Sequence, residues 1–305
     1  EVIGVDIDQR VVDIVNSGKA HIVEKDLDQA IKKCVKDKSL KASLSVEDSD
    51  VFIISVPTPF IDGHKPDLSY IKEATKLLST KLKKGNLVIL ESTVPVGATE
   101  KVSLWLEELR PDLKFPNKDC FTEESNVFIA HCPERVLPGN ILYELTQNDR
   151  TIGGLSSLST EKAYNFYSSF VQGKCNKTNA KTAELSKLVE NSYRDVNIAF
   201  ANELSLICEE LEIDVWRLIE IANYHPRVDI LSPGPGVGGH CIAVDPWFIV
   251  DSVPDTSKII KIARDINDSK PLHVATKIEK KIKELNASHD EIRVLSLGLS
   301  FKPDI

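Results

Sequence analysis

The segment Val51-Phe52-Ile53-Ile54-Ser55-Val56-Pro57-Thr58-Pro59 is a short β-branched run that ends in polar residues and prolines. Comparable apolar runs occur at 2–5, 87–90 and 127–130, and helical patterns lie between the runs, at 68–82 and 99–109. Alternation of short strands with helices is typical of a doubly wound parallel sheet. We therefore predict an α/β fold whose first half is built on such a sheet.

Polar residues follow the apolar runs, where a parallel sheet binds its ligands. Asp6 follows the first run. A carboxylate at the end of the second strand of a Rossmann unit hydrogen-bonds the ribose hydroxyls of the cofactor. A carboxylate at this position favours NAD over NADP. A helix cap would give the same local pattern. The usual Gly-x-Gly-x-x-Gly motif belongs about 20 residues upstream, so we expect the natural chain to extend beyond both ends.

A long helix is predicted over 180–211, because its apolar residues recur on one side. They are Leu185, Val189, Val196, Phe200, Leu204, Ile207 and Leu211. Lys187, Asn191 and Arg194 project on the opposite side, which is either a solvated face or the lining of a cleft. Further helices are predicted at 214–223, with Asp214 as N-cap, and at 256–268. A strand that opens another α/β domain is predicted at 292–297.

The loop Gly234-Pro235-Gly236-Val237-Gly238-Gly239-His240-Cys241-Ile242-Ala243-Val244-Asp245-Pro246 carries one thiol at its end and a carboxylate four residues later. Closely spaced glycines allow a backbone to approach a ligand and to turn N–H groups toward anionic oxygens. A flexible turn with a buried cysteine is the alternative. Because Pro235 and Pro246, with Pro233 just before the loop, stiffen this segment, we interpret it as an active-site loop with Cys241 as a nucleophile.

Composition limits the functional class. A chain of 305 residues suggests two or three domains, and a net charge of −8 without long single-sign blocks argues against nucleic acid or an anionic membrane as the main partner. No apolar run reaches the roughly 18 residues of a membrane span. The six cysteines are widely spaced, which favours reduced thiols, a cytoplasmic location and no metal site.

Three long motifs resemble those of the UDP-sugar 6-dehydrogenases, and the resemblance covers essentially the whole sequence. They are residues 131–139 (HCPERVLPG), 190–203 (ENSYRDVNIAFANE) and 236–248 (GVGGHCIAVDPWF). The resemblance implies three parts: an NAD-binding Rossmann domain at 1–174, a helical domain at 175–268 that forms a homodimer, and the start of a second Rossmann-like, UDP-sugar-binding domain at 269–305.

The reaction implied by the resemblance is the NAD-dependent, four-electron oxidation of a sugar C6 alcohol to a carboxylate. Within the group, the motifs most resemble enzymes acting on UDP-N-acetyl-D-mannosamine, with UDP-N-acetyl-D-glucosamine and UDP-glucose as alternatives. Cys241 would form a thiohemiacetal and then a thioester. Lys187 would stabilise oxyanions and Asn191 would hold substrate or water, with Asp245 and Glu134 serving thioester hydrolysis.

The resemblance also implies binding residues. For the cofactor these are Asp6, Thr58 and Thr93. For the substrate they are Arg135, Val136, Lys187, Asn191, Arg194, His225, Arg227, Gly234, Gly236, Gly238, Phe301 and Lys302.

Two other readings remain open at this stage. A two-electron hydroxyacid or sugar-phosphate dehydrogenase would share the alternating plan without needing Cys241. A non-catalytic NAD or nucleotide-sugar binder would share the scaffold, although it would have no need of a nucleophile. The presence of Cys241, Lys187, Asn191 and Asp245 together favours the four-electron enzyme.

Overall fold

The computed structural model describes residues 1–116, 125–137, 139–239, 241–285 and 292–297. Its strands are β1 (Val2–Val5), β2 (Leu40–Ser43), β3 (Val51–Ile54), β4 (Phe60–Ile61), β5 (Lys65–Pro66), β6 (Leu87–Leu90), β7 (Phe128–His131), β8 (Arg150–Gly154) and β9 (Cys175–Asn179). Its α-helices are α1 (Gln9–Asn16), α2 (Leu27–Lys36), α3 (Ser69–Ser79), α4 (Ala98–Leu109), α5 (Ile141–Gln147), α6 (Ser157–Ser168), α7 (Ala180–Glu210), α8 (Val215–Ala222), α9 (Asp245–Ser252) and α10 (Lys258–Glu284).

The main sheet has five strands in the order β3-β6-β7-β8-β9. Neighbouring strands are parallel except β7 and β8, which pair antiparallel. A separate parallel pair is formed by β1 and β2. The predicted α/β class with a parallel sheet is thus confirmed, and the antiparallel step at β8 is a departure that the sequence pattern did not indicate.

Helices cover both faces of this sheet, which explains why its strands read as continuous apolar runs. All four residues of β6 are buried, and they alternate between two cores. Val88 and Leu90 belong to one core with residues of α3 and α4, whereas Leu87 and Ile89 belong to the other with Ala163 and Tyr167 of α6. Burying each such aliphatic side chain contributes about 1.5–3 kcal/mol relative to exposure.

The described chain divides into two compact units. The first comprises Glu1–Pro59 and Pro66–Lys187, and the second comprises Phe60–Lys65 and the residues from Leu188 onward. Strand β9 pairs with β8 along its whole length, so the sheet extends past the predicted boundary after residue 174. The predicted boundary at 268/269 falls inside α10. The three-domain division itself remains a prediction.

Most predicted elements match the observed ones closely. Helix α7 (Ala180–Glu210) matches the predicted 180–211 to within one residue. The Asp214 side chain accepts the Trp216 N–H at 3.0 Å, which confirms the predicted N-cap of α8. The helix predicted at 256–268 is too short, because α10 continues through Pro271 to Glu284. The strand predicted at 292–297 is wrong, since these residues have no pairing partner within the described chain. Among the described residues, every helix is either too short or too polar to span a lipid bilayer.

Candidate active site

Cys241 lies directly before α9, with an exposed side chain. Its carbonyl oxygen accepts the N–H groups of Val244 at 3.1 Å and Asp245 at 2.9 Å, so a helical turn joins the thiol to the first residue of α9. Pro246 is tolerated in this first turn, where its missing N–H would have no partner inside the helix. Cys241 and Asp245, four residues apart in sequence, are therefore separated by one helical turn of backbone.

Asp245 and Asn191 are in contact, and both are buried. The Asn191 Nδ2 donates to Asp245 Oδ2 at 2.5 Å, linking α7 to α9 across 54 positions of sequence. Lys187 lies one turn earlier on α7 and is half-buried. The second unit therefore brings together two of the predicted catalytic side chains, and the hydrogen bond fixes the orientation of the carboxylate.

Glycine is required at different positions of the loop for different structural reasons. Gly239 adopts a φ of 89°, a left-handed conformation that is costly for other residues. A Cβ on Gly236 would lie 2.9 Å from Pro271 Cγ, so this position requires glycine for close packing against α10. The N–H of Gly234 donates to Asn202 Oδ1 at 2.9 Å. Gly239 therefore serves a left-handed backbone and Gly236 a close approach to α10, whereas a Cβ on Gly234 would meet nothing nearer than 3.9 Å.

Glu134 lies in the segment that follows β7, and it is half-buried. Burial raises the pKa of its carboxyl, while the Val136 N–H that it accepts and the positive charges of Lys187 and Arg150 act in the opposite direction. A carboxyl with a raised pKa exchanges protons more readily near neutral pH. Glu134 and Lys187 thus interact electrostatically within the first unit.

The segment around Glu134 is held by hydrogen bonds to its backbone. Leu137 N–H donates to the Glu144 carboxylate at 2.9 Å, and the side chain of Asn148 donates to the Arg135 carbonyl at 3.3 Å. Farther along, the Glu24 carboxylate accepts Gly139 N–H at 2.9 Å. These contacts fix the path of a chain that has no regular secondary structure of its own.

A buried ion pair near Glu134 was not predicted. Arg150 is 2% exposed, and its Nη1 lies 3.4 Å from Glu91 Oε1. The Tyr167 hydroxyl donates to the same Glu91 oxygen at 3.2 Å, and the Arg150 guanidinium lies over the Tyr167 ring. Burial raises the pKa of Glu91 against the opposing effect of Arg150. The sequence signal that was available is the position of the two charges: Glu91 directly follows the buried strand β6, and Arg150 is the first residue of β8.

The cofactor residues predicted on the first unit fit NAD by their chemistry. Asp6 is half-buried after β1 and accepts the Asp8 N–H at 2.8 Å. Thr58 Oγ1 is buried and has no hydrogen-bond partner among the described residues, so a bound ligand could satisfy it. Thr93 is half-buried after β6.

The turn after Thr93 is held by Glu184, which the sequence did not single out. This carboxylate is 1% exposed and accepts Gly97 N–H at 2.6 Å and Thr99 N–H at 2.8 Å. It therefore satisfies N–H groups at the start of α4, where the helix dipole favours a negative charge. Its role is to anchor the polar turn that follows β6.

The remaining predicted substrate residues differ in exposure. Arg135 and Val136 are half-buried, whereas Arg194, His225 and Arg227 are exposed. The Arg227 N–H donates to His225 Nδ1 at 3.3 Å, which ties these two into one turn. Gly238 is exposed within the loop. Phe301 and Lys302 lie outside the described residues. Among the residues that are described, no group of three potential metal ligands occurs.

Comparison with known proteins identifies the domains. Residues 1–171 match the UDP-glucose/GDP-mannose dehydrogenase family, NAD binding domain, and residues 181–269 match the central domain of that family. The match confirms the predicted resemblance and NAD as the cofactor. The match also excludes the alternative that the chain is a hydroxyacid or sugar-phosphate dehydrogenase.

Similar proteins agree with the domain matches. UDP-N-acetyl-D-mannosamine dehydrogenase of Campylobacter jejuni is 58% identical over 306 residues, covering 100% of this chain and 74% of the relative. NDP-N-acetyl-D-galactosaminuronic acid dehydrogenase of Ralstonia nicotianae is 53% identical over 305 residues, covering 100% of this chain and 71% of the relative.

A solved structure of similar fold, that of UDP-D-ManNAc dehydrogenase from Pyrococcus horikoshii, has a TM-score of 0.83 and 41% identity, covering 93% of this chain and 66% of the other. The chain thus spans about two thirds to three quarters of the proteins it matches. These matches confirm the prediction of a dehydrogenase, and the chain belongs to the UDP-glucose/GDP-mannose dehydrogenase family.

Proposed function

We propose that the protein oxidises the C6 alcohol of UDP-N-acetyl-D-mannosamine to a carboxylate, with two NAD consumed for each sugar. The observation that carries this substrate is the 58% identity, over the whole chain, to a relative named for it. The exposed Cys241 beside α9 supports the four-electron reaction, because an aldehyde gives up a second hydride only after a nucleophile has added. NAD, when bound, accepts the hydrides.

The proposed mechanism gives Cys241 the covalent step. Its thiolate adds to the C6 aldehyde to form a thiohemiacetal, and oxidation converts this to a thioester. Water then cleaves the C–S bond, releasing the carboxylate and regenerating the thiol. The N-terminal N–H groups of α9 follow Cys241 and favour negative charge.

The other proposed roles are those that the family resemblance implies, and the contacts of each side chain support them. Lys187 stabilises the oxyanions formed at C6, and its charge also acts on Glu134. Asn191 and Asp245, joined by their hydrogen bond, hold and activate the hydrolytic water together with Lys187. Glu134 transfers protons during thioester hydrolysis, a role that its raised pKa supports.

A second candidate substrate is an N-acetyl-D-galactosamine nucleotide. Relatives named NDP-N-acetyl-D-galactosaminuronic acid dehydrogenase are 53% and 52% identical to this chain, close to the values for the mannosamine enzymes. The two sugars differ in the configuration of the C2 acetamido group and of the C4 hydroxyl, which a few contacts distinguish. Sequence identity therefore favours the mannosamine sugar but does not exclude the galactosamine sugar as the substrate.

We further propose that the protein is a homodimer formed through α7 and that it acts in the cytoplasm. The dimer is supported by a stripe of apolar side chains that runs along α7 and continues to Leu211 directly after it; Val189, Phe200 and Leu211 are 47%, 51% and 62% exposed. Exposed apolar patches of this kind mark protein interfaces. The cytoplasmic location is supported by the wide spacing of the cysteines.

The test is NAD reduction by the full-length protein with UDP-N-acetyl-D-mannosamine, UDP-N-acetyl-D-galactosamine, UDP-N-acetyl-D-glucosamine and UDP-glucose, counting NADH per sugar. Two NADH with the mannosamine sugar as best substrate are expected. Cys241→Ser should lower acid formation by about 1,000-fold or more, whereas Cys34→Ser in α2 should keep wild-type turnover. One NADH per sugar, or full acid formation by Cys241→Ser, contradicts the mechanism.

A further inference from the structure

A chain of buried polar side chains connects α7 to α10 in the second unit. Asp195 and Asn202 on α7 are both 0% exposed, and Arg264 and Asn267 on α10 are both 1% exposed. Arg264 Nη1 donates to Asp195 Oδ1 at 2.6 Å, and Asn267 Nδ2 donates to the same oxygen at 2.8 Å. Asn202 Nδ2 then donates to Asn267 Oδ1 at 2.8 Å. Each member orients the next, because each amide uses both its donor and its acceptor.

The last side chain in this hydrogen-bonded series, Asn202, contacts the backbone of the Cys241 loop. The remaining acceptor, Asn202 Oδ1, takes the N–H of Gly234 at 2.9 Å. Loss of this partner would leave a partly buried N–H without its hydrogen bond, which is unfavourable away from water. The first glycine of the Cys241 loop is therefore fixed by side chains that lie outside the loop.

A second contact holds the same loop two residues later. Gly236 packs so closely on α10 that a Cβ there would lie 2.9 Å from Pro271 Cγ and 3.3 Å from its Cδ. Pro271 lies inside α10, where its missing N–H removes the hydrogen bond to the Asn267 carbonyl four residues earlier. Asn267 and Pro271 thus lie one turn apart on α10: Pro271 contacts Gly236 directly, and Asn267 acts on Gly234 through Asn202.

Packing on the other sides of this segment is incomplete. A cavity of about 650 Å³ adjoins Pro233, Gly234 and Pro235, with α7, α8 and α10 forming its other walls. A backbone segment beside a cavity lacks van der Waals partners there. The hydrogen bond from Gly234 and the contact of Gly236 with Pro271 are specific restraints on the start of the loop.

We infer that Asn202, Asn267 and Pro271 are positioning residues, which hold the Gly234–Gly239 backbone in the arrangement that receives the nucleotide sugar ahead of Cys241. The inference rests on the proposed function for the identity of the ligand, but the restraint on the loop is a property of the protein alone. Displacing a substrate-binding segment by about 1 Å can lower the reaction rate by about 100-fold. Loss of either contact with the loop should therefore weaken binding of the sugar.

The test exploits the Gly236–Pro271 contact. In Gly236→Ala, the new methyl group meets the proline ring and displaces the loop, so KM for the sugar should rise by about tenfold or more, with KM for NAD unchanged. Pro271→Ala removes Cγ and Cδ, so the double variant should recover most of the lost affinity. Leu272→Ala is the matched control, because the neighbouring Leu272 is 73% exposed and its removal should give no rescue.

Hydrogen exchange of the 233–239 peptide provides a readout that does not depend on activity. Exchange should be faster in Gly236→Ala and return toward the wild-type rate in the double variant with Pro271→Ala. Asn202→Ser is a second, independent variant that should also raise both the exchange rate and KM. Wild-type exchange and KM in Gly236→Ala and Asn202→Ser, or equal rescue by Leu272→Ala, would overturn the inference. A wild-type protein that reduces no NAD with any sugar would instead contradict the proposed function.

Discussion

His131, the last residue of β7, has a fully buried imidazole, and neither ring nitrogen has a hydrogen-bond partner among the described residues. Burial lowers the pKa of His131 from 6.5 to about 3. The folded protein therefore keeps this ring neutral at pH values where the unfolded chain protonates it. Its contribution to stability is present above pH 6.5 and is lost as the pH falls from 6.5 toward 3.

We predict that His131→Leu flattens the acid side of the stability profile. Across the window between pH 6.5 and about 3, one group of this kind adds a slope of about 1.4 kcal/mol per pH unit to the free energy of unfolding. Urea unfolding at a series of pH values measures the slope. His21→Leu, at an exposed position, is the matched control. A wild-type slope in His131→Leu would show that this imidazole does not control acid stability.

At the scale of elements, helix α8 begins at a side chain that the sequence identified in advance. Asp214 accepts the Trp216 N–H at 3.0 Å, so it satisfies one of the N–H groups that a helix leaves unpaired at its start. A helix of eight residues has few internal hydrogen bonds, and its cap is therefore a substantial part of its stability.

We predict that Asp214→Ala lowers the free energy of unfolding by about 1 kcal/mol. Asp214→Asn keeps the acceptor and should cost much less, which separates the cap hydrogen bond from other effects of the substitution. Denaturant unfolding followed by far-UV circular dichroism measures both variants. Equal stability of Asp214→Ala and the wild type would mean that solvent replaces the cap without loss.

Helix α7 shows why the pattern of apolar residues was not a sufficient guide to burial. The stripe through Val189, Phe200 and Leu211 is exposed, whereas Asn191, Asp195 and Asn202 on another side are buried. Their spacing of four and seven residues predicts that they share one side of the helix. Their burial could not be predicted from the sequence, because it depends on donors and acceptors supplied by α9 and α10.

At the scale of the whole molecule, the exposed stripe of α7 supports the proposed dimer. We predict that Phe200→Asp shifts the protein toward a monomer, because a carboxylate in the centre of an apolar interface loses its hydration without gaining a partner. Sedimentation velocity over a range of concentrations measures the shift. Leu77→Asp, at a 49% exposed position on α3, is the matched control and should leave the oligomeric state unchanged. A stable dimer in Phe200→Asp would exclude this interface.

The sequence by itself determined the alternation of strands and helices, the cap of α8 and the family motifs around Glu134, Asn191 and Cys241. These features depend on residues that are neighbours in the chain, so local periodicity and spacing contain them. The tertiary structure alone decided which side of α7 is buried and how the Cys241 loop is held. The decisive hydrogen bonds, from Gly234 to Asn202 and from Asn267 to Asp195, join residues 32 and 72 positions apart. Such pairings arise only when the folded chain removes both partners from water.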